Sequence, residues 1–111
     1  MWTEITPPGG GPPSHYHLSE DETFHVIEGR VTFFLNGEWY QVGLGGAAFM
    51  LRGIVHTFKN VGDQPSRMLN MTTPSGFEKF FARCAEEFAK SDEPDISRLI
   101  EIGAEHEIHF V

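Results

Sequence analysis

Basic residues and cysteine are scarce in this chain. Eight lysines and arginines stand against sixteen aspartates and glutamates, which gives the 111 residues a formal net charge of −8. So acidic a chain is a poor partner for nucleic acid or for an anionic membrane surface. The single cysteine, Cys84, excludes an intrachain disulfide. A chain of this length is expected to form one domain.

Long apolar runs are missing as well. No stretch approaches the roughly 18 apolar residues of a membrane-spanning helix. The first residues offer neither the basic nor the apolar region of a signal peptide, so we expect a cytoplasmic protein. Phenylalanine and glycine, by contrast, are abundant, with ten and twelve copies. This composition is typical of a β-rich fold with aromatic packing and many turns.

Segments of strand length recur along the first two thirds of the chain, each bounded by turn residues. The strongest hairpin signal is Asn36-Gly37, because both residues tolerate the positive φ of a type I′ turn. The Pro- and Gly-rich segment 7–13 predicts an ordered loop that forms one wall of a site. The predicted strands cover residues 2–6, 15–19, 22–28, 30–35, 38–42, 47–51, 55–59 and 66–72.

At Thr73 the apolar period changes from about 2 to about 3.6 residues, which predicts a helix with one aromatic face. That face is expected to contact the core or a dimer partner. A second helix is predicted from Asp95 to Ile102, with Gly103 ending it, and the alternating tail could form a final strand. The fold class is therefore all-β: a small antiparallel barrel or jelly roll (double-stranded β-helix) over residues 1–74. Helices and tail, residues 75–111, form an appendage packed on the barrel or a dimer interface.

Four polar residues in two stretches are candidate metal ligands. His15 and His17 lie two apart, so a strand presents both imidazoles on one face. Glu22 follows across a polar turn, and His56 must come from a distant strand. Three imidazoles and one carboxylate suit one divalent transition metal per chain, whether Fe, Mn, Ni, Cu or Zn. Taken singly, each residue also fits a solvated turn or a loop end.

The spacing of these residues resembles the two motifs of the cupin superfamily. Gly, five residues, H-x-H, four residues, Glu, six residues and Gly are matched by Gly9, His15, His17, Glu22 and Gly29. The second motif is matched by Gly45, Gly53, His56 and Asn60, with Leu51 where the family usually has proline. The resemblance is to small single-domain bacterial cupins of the quercetinase-like branch. It implies a barrel whose residues 9–29 and 45–60 bind a metal through His15, His17, Glu22 and His56.

For function, the resemblance implies a metal-dependent dioxygenase, an oxidoreductase acting on a small enolisable aromatic substrate such as a flavonol. Glu22 would be the catalytic base that takes the proton of the substrate hydroxyl. Two alternatives stay open, because a fold does not fix a function: a non-catalytic barrel that binds or senses a small molecule, and a sugar isomerase or epimerase. Strand parity and position predict that the substrate pocket is lined by Phe24, Val26, Phe49, Leu51 and Phe58.

A homodimer is also expected. Only one predicted strand, residues 2–6, precedes the first motif, whereas similar proteins usually carry more chain there. The barrel would then lack an outer strand and leave an unpaired sheet edge. A second copy of the chain could cover that edge.

Overall fold

The computed structural model describes residues 1–90, 93 and 95–111. Within these residues the chain is mostly β, with a helical segment near its C-terminus, and the predicted fold class is confirmed. The eight predicted strands all form, within two residues of their expected ends. The elements are β1 (Trp2–Thr6), β2 (His15–His17), β3 (Asp21–Glu28), β4 (Val31–Leu35), β5 (Glu38–Val42), β6 (Ala47–Met50), β7 (His56–Asn60), β8 (Ser66–Thr73), α1 (Phe77–Lys90), α2 (Ile96–Glu105) and β9 (Ile108–Phe110).

The strands form two antiparallel sheets around a common core. One sheet has the order β1-β8-β3-β6 and the other the order β5-β4-β7-β2-β9. Alternate residues of each strand turn inward, so bulky apolar side chains fill the space between the sheets. The core cluster comprises Phe24, Val26, Val31, Phe33, Met50, Phe58 and Met68.

The predicted hairpin between β4 and β5 is confirmed. Asn36 and Gly37 have φ values of 49° and 88°, as a type I′ turn requires. Leu35 therefore pairs directly with Glu38, and the register continues to Val31 and Val42. This tight connection fixes which side chains of β4 point into the core.

The C-terminal segment comprises the two helices and a last strand. After α1 and α2 the chain returns to the second sheet, where β9 pairs with β2, so this sheet includes residues beyond 74. Gly103 does not end α2, which continues to Glu105. A Cβ at Gly103 would lie 3.1 Å from both the Ile108 carbonyl oxygen and the Phe110 ring, so glycine permits the close approach of α2 to β9. Within the described chain, neither helix combines the length and apolarity that a membrane crossing needs.

Candidate metal centre

The four candidate ligands converge between the two sheets. His15 and His17 come from β2 and His56 from β7, and His15 pairs with His56 in the same sheet. Glu22 enters from β3 of the facing sheet. One ligand atom from each residue can be chosen so that all lie within 4.8 Å of one another. The fold therefore brings together residues that are up to 41 positions apart in the sequence.

Each imidazole is oriented by a hydrogen bond from its outer nitrogen. The acceptors are oxygens outside the cluster, so the proton is held on Nδ1 and the Nε2 lone pair is free for a metal. The three bonds join His15 Nδ1 to the Pro13 carbonyl oxygen (2.8 Å), His56 Nδ1 to the Ile54 carbonyl oxygen (3.1 Å) and His17 Nδ1 to Glu20 Oε1 (3.4 Å). A supporting shell of this kind is typical of metal-binding histidines.

The inner atoms of the cluster lack partners. His17 Nε2 lies 3.0 Å and His56 Nε2 3.6 Å from Glu22 Oε1, and the three side chains are only 2%, 2% and 7% exposed. None of these three atoms has a hydrogen-bond partner among the described residues. Buried lone pairs that face one another are costly unless a proton or a cation lies between them. The donor set and its orphaned atoms therefore fit a divalent transition metal.

Burial and charge set the protonation of the cluster. Burial lowers the pKa of His15 to about 4, so this imidazole is neutral at neutral pH. Burial also acts to lower the pKa of His17, but the Glu22 and Glu20 carboxylates outweigh it and raise that pKa. Burial acts to raise the pKa of Glu22, but the imidazoles of His17 and His56 lower it to about 2. Glu22 is thus ionised as a ligand must be, and a metal would displace the proton favoured on His17.

A cavity of about 260 Å³ adjoins the cluster. His15, His17 and Glu22 belong both to the cluster and to the cavity wall, so a molecule in the cavity lies beside any ion that the cluster holds. The remaining wall is largely aromatic, with Phe24 and Phe58 contributed by the two facing sheets. This combination of a polar centre with apolar walls is typical of a small-molecule site.

The comparison with protein families agrees with this geometry. The family model "Cupin domain" matches residues 2–72 of the chain. The chain belongs to the cupin family. The resemblance inferred from the two motifs is thereby confirmed, and the structural relatives of this cupin carry the same fold.

Two named proteins are similar in sequence to part of this cupin. The cupin is 32% identical over 74 residues to "Polyketide synthase CurC" of Streptomyces cyaneus, covering 67% of the chain and 48% of that protein. It is 29% identical over 75 residues to "Quercetin 2,3-dioxygenase" of Bacillus subtilis, covering 68% and 22%. The chain thus spans about half the length, or less, of these two relatives.

Two solved structures have a similar fold. One is a protein of Thermus thermophilus, with 28% identity, a TM-score of 0.62, and coverage of 65% of this chain and 69% of that one. The other is described as a predicted oxalate decarboxylase of Thermotoga maritima, with 26% identity, a TM-score of 0.61, and coverage of 63% and 61%. Both likenesses support the barrel architecture.

Phe24 and Phe58, two of the five residues predicted to form the cavity wall, do line it. Val26 shares their inward direction but is packed in the hydrophobic core and does not border the cavity. Phe49 and Leu51 lie outside the cavity and are 54% and 50% exposed. Their inclusion in the pocket is therefore corrected.

The register of β3 and β6 explains the outward direction of Phe49. Phe49 pairs with Thr23, whereas Met50 pairs with Glu22. Side chains that are opposite each other in a ladder point to the same face, so Met50 takes the inner position beside Glu22 and Phe49 takes the outer one. Phe49 was expected in the pocket because its strand is near the second motif, but that nearness does not fix which face of β6 a side chain takes.

Helix α1 supplies cavity wall that the pattern analysis did not find. Phe77 stacks on Trp2 with 5.1 Å between ring centroids and lies 5.5 Å from the His17 ring, and Phe81 meets Trp2 edge-on at 5.2 Å. All three aromatic residues border the cavity. The helix face expected to contact the core or a partner therefore covers the cavity beside the candidate metal ligands. The aromatic stripe of the helix can be recognised in the sequence, but the surface against which it packs cannot be predicted from the stripe alone.

The Pro- and Gly-rich loop does form a wall of the site. Pro12 and Pro13 border the cavity, and the Pro12 carbonyl accepts a 2.6 Å hydrogen bond from the Thr57 hydroxyl. A Cβ built on Gly11 would lie 1.9 Å from the carbonyl oxygen of Phe58, so only glycine allows the loop to lie this close to β7.

Other polar residues of the two motifs have structural roles. Asn60 is buried and donates to the carbonyl oxygens of Thr6 and Gln64, which fixes the turn after β7. Arg52 pairs with Asp21, which lowers the pKa of that carboxyl. His25 on β3 is exposed and outside the cluster.

Proposed function

We propose that this cupin is a metal-dependent oxidoreductase of the dioxygenase type that acts on a small enolisable aromatic substrate. The observation that carries the proposal is the shared wall: His15, His17 and Glu22 face both the candidate metal position and the cavity. A divalent transition metal, when bound, would supply Lewis-acid chemistry to a substrate oxygen in this place.

The cavity supports an aromatic substrate of limited size. Its walls are rich in phenylalanine, which favours flat apolar molecules and excludes water. Its volume of about 260 Å³ lies just below the usual range of roughly 300–1,000 Å³ for ligand pockets. A molecule of one or two fused rings therefore suits it better than a three-ring flavonol. Relatives named for quercetin dioxygenation and for polyketide synthesis support the same chemical class.

In this proposal Glu22, whose pKa of about 2 keeps it ionised, is both a ligand and the acceptor of the substrate hydroxyl proton, which a bound metal would make more acidic. Loss of that proton makes the aromatic ring electron-rich and easier to oxidise. Both oxygen atoms of O2 would enter the product, so the substrate itself supplies the electrons that reduce O2. The walls formed by Phe77 and Trp2 would keep bulk water from the reacting atoms.

The lining of the same cavity bears on the two alternative functions, a sugar isomerase or epimerase and a non-catalytic binding protein. Some structural relatives are described as sugar phosphate isomerases, one with 26% identity. Among the described residues that border this cavity there is no lysine or arginine, so nothing there matches a phosphate group. A barrel that binds an aromatic molecule without converting it remains the competing function, and it is an outcome of the experiment below.

Oxygen consumption tests the proposal. Metal-free protein is loaded separately with Fe, Mn, Ni, Cu or Zn and mixed with catechol, 2-naphthol and quercetin in an oxygen electrode. With a redox-active metal and a small substrate, we expect the uptake of one O2 per molecule of substrate converted. His15→Ala should abolish the uptake, and the exposed His25→Ala should retain it. Thermal stabilisation by the aromatic compounds without O2 uptake would instead indicate a binding protein.

We also propose that the chain forms a homodimer. Among the described strands β1 lies at an edge of its sheet and pairs only with β8, and Ile5 on this strand is 61% exposed. An edge of this kind is a template for pairing with a second chain. Light scattering after size-exclusion chromatography tests the proposal, and a monomeric mass at micromolar concentration would contradict it.

A further inference from the structure

Glu4 provides a second carboxyl group in the cavity, in addition to Glu22 of the candidate metal centre. Both Trp2 and Glu4 of β1 border the cavity, because they are two apart and share a face of the strand. Asn70, fully buried on the neighbouring strand, donates from Nδ2 to Glu4 Oε2 at 2.6 Å. This bond holds the carboxyl group in place through one oxygen, and among the described residues none donates to the other.

The register of the sheet separates Glu4 from the metal cluster. β8 lies between β1 and β3, and Glu4 is in the row of Val26, four residues along β3 from Glu22, so the backbones of Glu4 and Glu22 are roughly 16 Å apart. Phe24, Asn70 and Trp2 form one row across the three strands, and Glu4 and Glu22 lie on opposite sides of that row on the same inner face. A planar molecule that directs one oxygen at the cluster and lies over Phe24 would extend toward Glu4.

Glu4 is partly buried in this aromatic setting, so its carboxyl group has lost some of its hydration. Burial raises the pKa of Glu4, the hydrogen bond from Asn70 partly offsets this, and the charge of Glu22 adds to it. The amide oxygen of Asn70 is itself buried without a partner among the described residues. Buried polar groups normally recover the lost hydration through hydrogen bonds. A donor on a ligand would provide that bond for Glu4.

We propose, on the basis of the proposed function, that Glu4 is a substrate-binding residue that accepts a hydrogen bond from a second hydroxyl group of the substrate. That hydroxyl lies on the opposite side of the aromatic ring system from the oxygen directed at the metal cluster. The substrate class narrows accordingly to small planar aromatics with two well-separated hydroxyl groups. Asn70 positions Glu4 through the bond to Oε2.

Calorimetric titration of zinc-loaded protein tests the inference, because zinc has no redox chemistry and the ligands stay intact. The probes are 2,7-dihydroxynaphthalene, which has two separated hydroxyls, and 2-naphthol, which lacks the second. We expect wild-type protein to bind the diol about tenfold more tightly, the preference of one hydrogen bond to a charged group. Glu4→Gln should reduce this preference and Glu4→Leu should remove it, with 2-naphthol binding unchanged. Glu86→Gln, an exposed carboxyl on α1, should keep it.

Retention of the tenfold preference in both Glu4 variants would overturn the inference, as would equal binding of the two probes by wild-type protein or binding of neither. Failure of the proposed function is a separate result. If the protein binds the diol through Glu4 but consumes no O2 with any redox-active metal, the inference about Glu4 stands and the proposed dioxygenase function fails. Glu4→Gln separates the loss of charge from a change of shape, because it keeps the shape of the side chain and an acceptor for Asn70.

Discussion

Zinc added to the metal-free protein should raise its unfolding temperature, and removal of one imidazole should prevent most of the rise. The strands hold His15, His17, Glu22 and His56 with their ligand atoms within 4.8 Å of one another. The unfolded chain holds no such arrangement, so metal binding stabilises the folded state selectively.

The size of the effect follows from mass action and from chain length. At free zinc of about 100 times Kd, the free energy of unfolding rises by about 2.7 kcal/mol. For 111 residues, an unfolding entropy of about 2.1 cal/mol/K per residue gives about 0.23 kcal/mol/K. The midpoint should therefore rise by about 12 °C in scanning calorimetry of chelator-treated protein.

The matched variants are His15→Ala and His25→Ala. If loss of one ligand weakens binding about 100-fold, the same zinc concentration only equals Kd, and the stabilisation falls to about 0.4 kcal/mol, or about 2 °C. His25 is an exposed histidine of β3 outside the cluster, so its variant should keep the full shift. Equal shifts in both variants would show that zinc binds elsewhere, and the absence of a shift in wild-type protein would refute the metal centre.

Three single substitutions probe the base, the loop and the second carboxyl group. Glu22→Gln should keep the fold and most of the metal, measured by elemental analysis, but abolish O2 uptake; unchanged turnover would remove Glu22 as the base. Gly11→Ala should lower the free energy of unfolding, measured by urea denaturation, by about 2 kcal/mol, because the new Cβ would lie 1.9 Å from the Phe58 carbonyl oxygen. Gly43→Ala, where a Cβ meets open space, should be tolerated. Burial raises the pKa of Glu4, so in the metal-free protein the contribution of this residue to stability is lost as pH rises. The stability of Glu4→Gln relative to wild type should therefore increase from pH 4 to pH 7. A decrease over this range would contradict the burial argument.

Local rules were enough to predict the strands and the β4–β5 hairpin. Alternation with a period of two and the positive φ of Asn36-Gly37 are properties of short segments, so they can be recognised without knowledge of the whole fold. The histidines and Glu22 were found through the spacing of two motifs. Phe49 was misplaced because the facing direction of β6 depends on its pairing with β3, which is a long-range property.

Gly103 illustrates the same limit in another way. A glycine near the end of an apolar helical pattern predicts a helix stop. Here α2 runs through it, because the space for a Cβ is taken by the carbonyl oxygen of Ile108 and the ring of Phe110. The requirement for glycine comes from the packing of α2 against β9. The sequence shows that glycine is present, but a helix stop and a close approach to β9 are both compatible with it.

The C-terminal segment also supports the strand that carries two candidate metal ligands, which the sequence pattern did not suggest. β2 carries His15 and His17 but is only three residues long, and it pairs with β7 at the single position of His15 and His56. Its other neighbour, β9, pairs with all three of its residues. Because α1 covers the cavity and α2 leads directly into β9, the segment that closes the cavity also fixes the strand that presents two of the four ligands. The geometry of the candidate centre therefore depends on residues outside both motifs.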